Sequence, residues 1–274
     1  MAIPAIQWLT SDIENSSAPY PRIDVSSIPE EVLKDAKGTG SKINNSRGSN
    51  VAGTVEQLSL LYMAAKDKDY MVIFNPGGWG WATIEKMPLW ASILRGLQET
   101  LAGFGRTVMV VDYLRTTKNA RGIIGEIVAL SRFSRAKGRA LALMVEFLLK
   151  NLPGLRVILT GESNGAVMAE NAFHFLKGNP RVFSIQTGTP FWAPSKLSPR
   201  SLIINHNGAE PDAFSRGDAW QIIKANIRSM AGKYRGDRGN ILFRVGAPGH
   251  VYNWDYPAVR QNIVNFLKEI EKTK

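Results

Sequence analysis

Residues 156–173, RVILTGESNGAVMAENAF, constrain this chain more than any other stretch. A β-branched apolar run, short enough for a buried strand, leads into Gly161-Glu162-Ser163-Asn164-Gly165, and a run of helix formers follows. A chain that passes from strand to helix in so few residues must turn sharply, with its central residue in a strained backbone conformation. Glycines two before and two after that residue let neighbouring backbone pass without a Cβ clash. The outcome is a serine hydroxyl lifted above a sheet edge, at the positive end of the next helix. The bare G-x-S-x-G spacing has little specificity. Its setting between a strand and a helix supplies the specificity.

The same alternation runs through the chain. Apolar runs at 70–74, 107–112, 156–160, 181–185, 201–205 and 240–245 read as six strands. Helical patterns fall at 54–66, 87–104, 119–152, 165–177, 218–231 and 256–271, the long one expected to break near Gly138. Strands alternating with helices indicate crossover units, hence an α/β fold with a mostly parallel sheet flanked by helices on both faces. Before residue 70 the pattern is weaker. Prolines at 4, 19, 21 and 29 and scattered serines suggest an irregular N-terminal arm over residues 1–69, with a short helix opening at Pro29. The polar segment Gly38-Thr-Gly-Ser-Lys-Ile-Asn-Asn-Ser-Arg-Gly48 lacks phosphate-loop spacing and reads as a flexible loop. No linker or repeat interrupts 70–274, which is read as one core.

A serine hydroxyl becomes a nucleophile when a base removes its proton, and an imidazole oriented by a carboxylate is the usual device. The chain has three histidines. His174 falls about three turns along the helix after Ser163 and points away from it. His206 closes the 201–205 strand. His250, in Ala247-Pro-Gly-His-Val251, follows the last strand and reaches the carboxyl edge where the serine turn also lies, so it is the preferred base. The acid is sought after strand 201–205. Asp212 is the first choice, Glu210 the second, and Asp218 the third, with capping of the next helix as its other role. Donors for an oxyanion are expected from Gly77 or Gly78, in Asn75-Pro-Gly-Gly-Trp-Gly80, and from the backbone of Asn164.

These motifs resemble the α/β-hydrolase superfamily of serine hydrolases over residues 70–272. The resemblance rests on Asn75-Pro-Gly-Gly78, Gly161-Glu-Ser-Asn-Gly165, the Asp212 loop and Pro248-Gly-His250, in the order serine, acid, histidine. It implies Ser163 as nucleophile, Asp212 as orienting acid, His250 as general base and acid, and two-step acyl transfer from a carboxylic ester or thioester. It implies no cofactor and no metal. Asn75 stands where many esterases carry histidine. The implied alternatives are a non-catalytic binding protein of the same fold and a lipase-like hydrolase working at a lipid surface. Trp79, Trp81, Trp90 and Trp254 are candidates to wall an acyl pocket, with core packing as the competing explanation.

Composition narrows the partners. The chain of 274 residues has no cysteine, which rules out disulfides, a thiolate nucleophile and thiolate metal sites. No signal peptide is visible, so a cytoplasmic location is expected, with an exported form also compatible. The net charge of +11 favours anionic surfaces or acidic substrates, though solubility accounts for it too, and no nucleic-acid motif accompanies it. Arg115, Lys118, Arg121, Arg132, Arg135, Lys137 and Arg139 crowd a segment, 114–139, where a helical lid is expected. Interleaved Ile123, Ile124, Ile127, Val128 and Leu130 would let such a lid touch an anionic membrane, and a solvated helix face is the plainer reading.

Overall fold

The computed structural model describes residues 6–9, 27–44, 51–80, 82–114, 135–193, 198–233, 236, 238–242 and 245–273. The expected lid lies almost wholly outside the described residues, as does Trp81. The central sheet has five parallel strands, in spatial order β3 (Val108–Tyr113), β2 (Tyr70–Asn75), β4 (Arg156–Glu162), β5 (Val182–Thr187) and β6 (Ser201–Ile204). A sixth strand, β1 (Ile6–Leu9), adds antiparallel to β3 at the edge. This is the α/β architecture expected from the alternation of strands and helices, a mostly parallel sheet with helices on both faces.

Helices cover both faces because the strands are apolar on both sides. Along β2, Met71 and Ile73 join one hydrophobic cluster while Tyr70, Val72 and Phe74 join the other, the period of a pleated strand. The first face carries α1 (Glu30–Ile43), α2 (Val51–Ala65), α4 (Arg135–Asn151) and α5 (Asn164–Phe175). The second carries α3 (Pro88–Gly103) and α7 (Pro257–Lys272), each begun by a proline whose fixed φ suits the first helical turn. In α2, Leu58 and Leu61 are fully buried, each contributing about 1.5–3 kcal/mol. No described helix is long and apolar enough to cross a membrane.

Four expectations need correction. Residues 38–43 are not loop: α1 runs through Gly38 and Gly40. A Cβ on Gly40 would sit 3.3 Å from Val55 Cγ2, so this glycine permits close crossing of α1 and α2. Nor does Gly138 break a helix. It lies inside α4, where a Cβ would meet Asn171 of α5 at 2.6 Å. The N-terminal region is more regular than expected: the short helix opening at Pro29 is the 14-residue α1, the 54–66 helix begins at Val51 as α2, and β1 adds a strand. The apolar run at 240–245 is not a sixth parallel strand. It is divided between β7 (Arg238–Leu242) and β8 (Val245–Pro248), an antiparallel pair outside the main sheet. Beside that pair lies α6 (Ala219–Met230), whose Asn226 carboxamide donates to Gly246 O (2.7 Å) and accepts from Gly246 N (3.1 Å).

Candidate active site

Ser163 stands between β4 and α5 with φ 53° and ψ −120°, the one non-glycine residue of positive φ among those described. Such a conformation costs on the order of 1–3 kcal/mol and persists only where surrounding structure enforces it. The enforcement is visible. A Cβ at Gly165 would lie 1.9 Å from Asn75 O, and one at Gly161 would lie 2.3 Å from Gly165 O. The backbone can therefore close only with glycine at both places. Ser163 N donates to Thr187 O (3.0 Å), which ties the turn to the end of β5.

The loop after β2 meets this turn. The Cβ position of Gly77 is 3.6 Å from Ser163 Cβ, and the Asn164 carboxamide donates to Gly78 O (3.2 Å). Gly78 has φ 55°, a conformation suited to glycine. Asn75 is buried, and its Nδ2 donates to Thr160 O (2.9 Å), stitching β2 to β4 just below the serine. Asp112, at the end of β3, accepts Ile84 N at both carboxylate oxygens (3.2 Å each) and so holds the continuation of that loop. Burial pushes the Asp112 carboxyl up to about 7, against the pull of the Ile84 N–H and with the aid of Glu85's charge.

Asp212 and His250 are fully enclosed. Asp212 Oδ2 and His250 Nδ1 are 2.7 Å apart. The same oxygen accepts the Tyr252 hydroxyl (2.8 Å) and the Ser215 hydroxyl (3.0 Å), and Oδ1 accepts Phe214 N (2.8 Å) and Ser215 N (3.1 Å). Burial alone would raise the Asp212 carboxyl. Its bond to His250, that residue's charge, and the Tyr252 and Ser215 donors outweigh burial and hold it below the usual aspartate range. Burial, then the adjacent carboxylate, push the Tyr252 hydroxyl far above its ordinary range, so it stays a donor. His250 Nε2 is buried and has no hydrogen-bond partner among the described residues, Ser163 included. The ring nevertheless lies at the serine turn. A Cβ on Gly188, directly after the Thr187 that holds Ser163 N, would be 2.6 Å from His250 Cε1.

The remaining candidates are placed elsewhere. Glu210 accepts Gly249 N (3.0 Å), bracing the histidine loop from beneath, and Asp218 caps α6 by accepting Gln221 N (3.0 Å). His174 is exposed at the end of α5, and His206 is exposed, its Nδ1 accepting Gly208 N (2.7 Å). Trp90 is a core residue, stacked on Phe74 at 4.8 Å and donating to Thr187 Oγ1 (3.2 Å). Trp254 lies over α3, where a Cβ on Gly96 would fall 2.1 Å from its ring. Both therefore serve packing between layers. Trp79 is half-buried beside Gly78. Among the described residues no group of three or more His, Asp or Glu is placed to hold a metal ion.

Two participants escaped the reading of the sequence. Tyr252 follows His250 by two residues, which offers no signal of its own. Glu162 does carry one, because it occupies the first variable position of G-x-S-x-G. It is half-buried, and its carboxylate reaches within 3.4 Å of the Cβ position of Gly77. Burial pushes it up to about 7; the His250 charge opposes that rise and the Asp212 charge adds to it.

No family model matches the sequence, and no curated protein sequence matches it. Among solved structures, the chain is similar to a Trichoderma reesei cutinase in complex with a C11Y4 phosphonate inhibitor. The identity is 14% and the TM-score 0.44, over 89% of this chain and 94% of the cutinase.

Proposed function

We propose that this protein is a serine hydrolase that cleaves a carboxylic ester or thioester through an acyl-enzyme on Ser163. The observation that carries the proposal is the bonded pair Asp212–His250, buried against a strained serine turn that a glycine loop also approaches. Asp212 accepts the Nδ1 proton and so fixes the tautomer that leaves Nε2 able to receive one. Ser163 Oγ attacks the acyl carbon as Nε2 takes its proton. The carbonyl oxygen, now anionic, is met by N–H groups of Asn164 and of Gly77 or Gly78. Collapse expels the alcohol or thiol, which leaves with the proton from Nε2. Water then attacks the acyl-serine, gives its proton to Nε2, and the acid departs as Ser163 regains its hydrogen. Protein groups alone carry each proton transfer in this cycle.

The open hydrogen bond between Ser163 and His250 favours a second reading, a non-catalytic binding protein on the same fold. Catalytic hydrogen bonds often tighten only once substrate is bound, which keeps hydrolysis first. A fluorophosphonate probe separates the two. Labelling confined to Ser163 and lost in Ser163→Ala is expected, with p-nitrophenyl ester turnover falling by on the order of 10⁴-fold or more. Folded protein that takes no label at Ser163 is a binding protein. A series of esters of rising acyl length then reports the length of the acyl pocket.

A further inference from the structure

Helix α6 wears its apolar side outward. Trp220, Ile223, Ile227 and Met230 are 71%, 50%, 62% and 90% exposed. Their spacing of three, four and three places them on one stripe of the helix. Ala225, the single buried residue of α6, lies on the opposite side of the helix, and Asn226 beside the stripe is bonded to Gly246. A surface helix ordinarily buries such a stripe, so this one is inverted.

The stripe continues toward the histidine. Phe191 and Trp192, 60% and 43% exposed, lie in the turn after β5. A Cβ on Gly217, just before α6, would be 3.0 Å from Phe191 Cγ. From there rings meet edge to face: Phe191 on Trp192 (4.9 Å), Trp192 on Phe214 (5.1 Å) and Phe214 on His250 (5.2 Å).

Charge identifies the occupant. Lys224 and Arg228 border the stripe on one side, and Arg216 and Lys233 stand at the two ends of the helix, all four exposed. Residues 219–233 contain no acidic side chain, and Asp218 is engaged as the cap. We infer that this face docks on an anionic lipid membrane, with the stripe in the acyl boundary and the lysines and arginines against phosphate groups. A second copy meeting this face by a twofold axis would set its basic rim against its twin, which like charge opposes. The expected anionic contact is thereby assigned to α6. Docking by itself requires no catalysis. Delivery of a membrane-borne ester along the ring path rests on the proposed hydrolysis.

The test is co-sedimentation of the full chain with vesicles of phosphatidylcholine, pure or mixed with phosphatidylglycerol, using both wild type and Ser163→Ala. Both proteins should bind the anionic vesicles preferentially and release with salt. Ile223→Glu with Ile227→Glu should weaken binding by at least about tenfold, and Lys224→Glu with Arg228→Glu should abolish the anionic preference. Hydrolysis of a short, water-soluble ester should be unchanged in both double variants, because these side chains lie on the outer surface. The inference is overturned if wild type binds neither vesicle, if it binds both alike, or if the double variants bind as wild type does. It is also overturned if Ile227→Glu turns a dimer into a monomer by sedimentation velocity. Since Ser163→Ala reads docking without turnover, failure here is distinct from failure of the serine-hydrolase reading.

Discussion

Glu162 sits immediately before Ser163, and its carboxyl is pushed up to about 7, mainly by burial. A raised acid favours the protonated folded state, so the fold binds more protons than the unfolded chain between the ordinary glutamate range and about 7. Stability therefore falls as pH rises through that window, and the whole penalty is present above it. Glu162→Gln should leave the melting temperature unchanged at pH below the glutamate range and raise it at alkaline pH. Thermal denaturation across that range checks this, and a constant offset at every pH would contradict it. Asp112 titrates in the same window, so part of the slope must survive in the variant. The cost of an ionised Glu162 suits the proposed chemistry, since its charge lies where an imidazolium must form. The same variant should lose about tenfold in ester turnover above neutral pH.

At the scale of elements, the β4–Ser163–α5 unit was legible because its signature is local. Strand, glycine, serine, glycine and helix are consecutive, and steric contacts within the unit and with Asn75 compel the glycines. The β7–β8 pair was not legible. An apolar run in the sequence does not say whether it continues into a neighbour or folds back on itself. Its consequence is positional, since His250 directly follows this pair rather than a strand of the main sheet. Asn226 is the rivet that holds the pair to α6. Asn226→Ala should cost about 1–3 kcal/mol and speed hydrogen exchange at the Gly246 amide. Ester turnover should fall with it, because the histidine loop loses its support. Unchanged exchange would show that the pair is held by other means.

Across the whole molecule, the edge of the sheet opposite Ser163 is closed by the C-terminal helix. Glu271 of α7 accepts the Tyr70 hydroxyl, Arg106 Nη2 (2.8 Å) and Arg106 Nε (2.9 Å), with Arg156 Nη1 at 3.5 Å. Burial would raise the Glu271 carboxyl, but Tyr70 and Arg106 outweigh it and hold it low. A depressed acid contributes stability that is present above the ordinary glutamate range and lost as pH falls through the folded value. Glu271→Gln should destabilise the protein by about 2 kcal/mol at neutral pH, and less in acid. Urea denaturation at two pH values reads both figures. Equal losses at the two would leave the carboxylate's charge without a part.

By itself the sequence determined the alternation of strands and helices, the parallel sheet and the serine turn, because each depends on neighbours in the chain. Periodicity and local sterics are written in consecutive residues. Tertiary structure alone decided the partners of Asp212, with its five donors including the unforeseen Tyr252 hydroxyl, and the assignment of Glu210 to Gly249, whereas the Asp218 cap was already legible in the sequence. It also decided that Gly40 and Gly138 are helix crossings rather than breaks, and that α6 turns its apolar stripe outward. Those outcomes depend on distances between residues far apart in the chain, and no local pattern encodes which surfaces will meet.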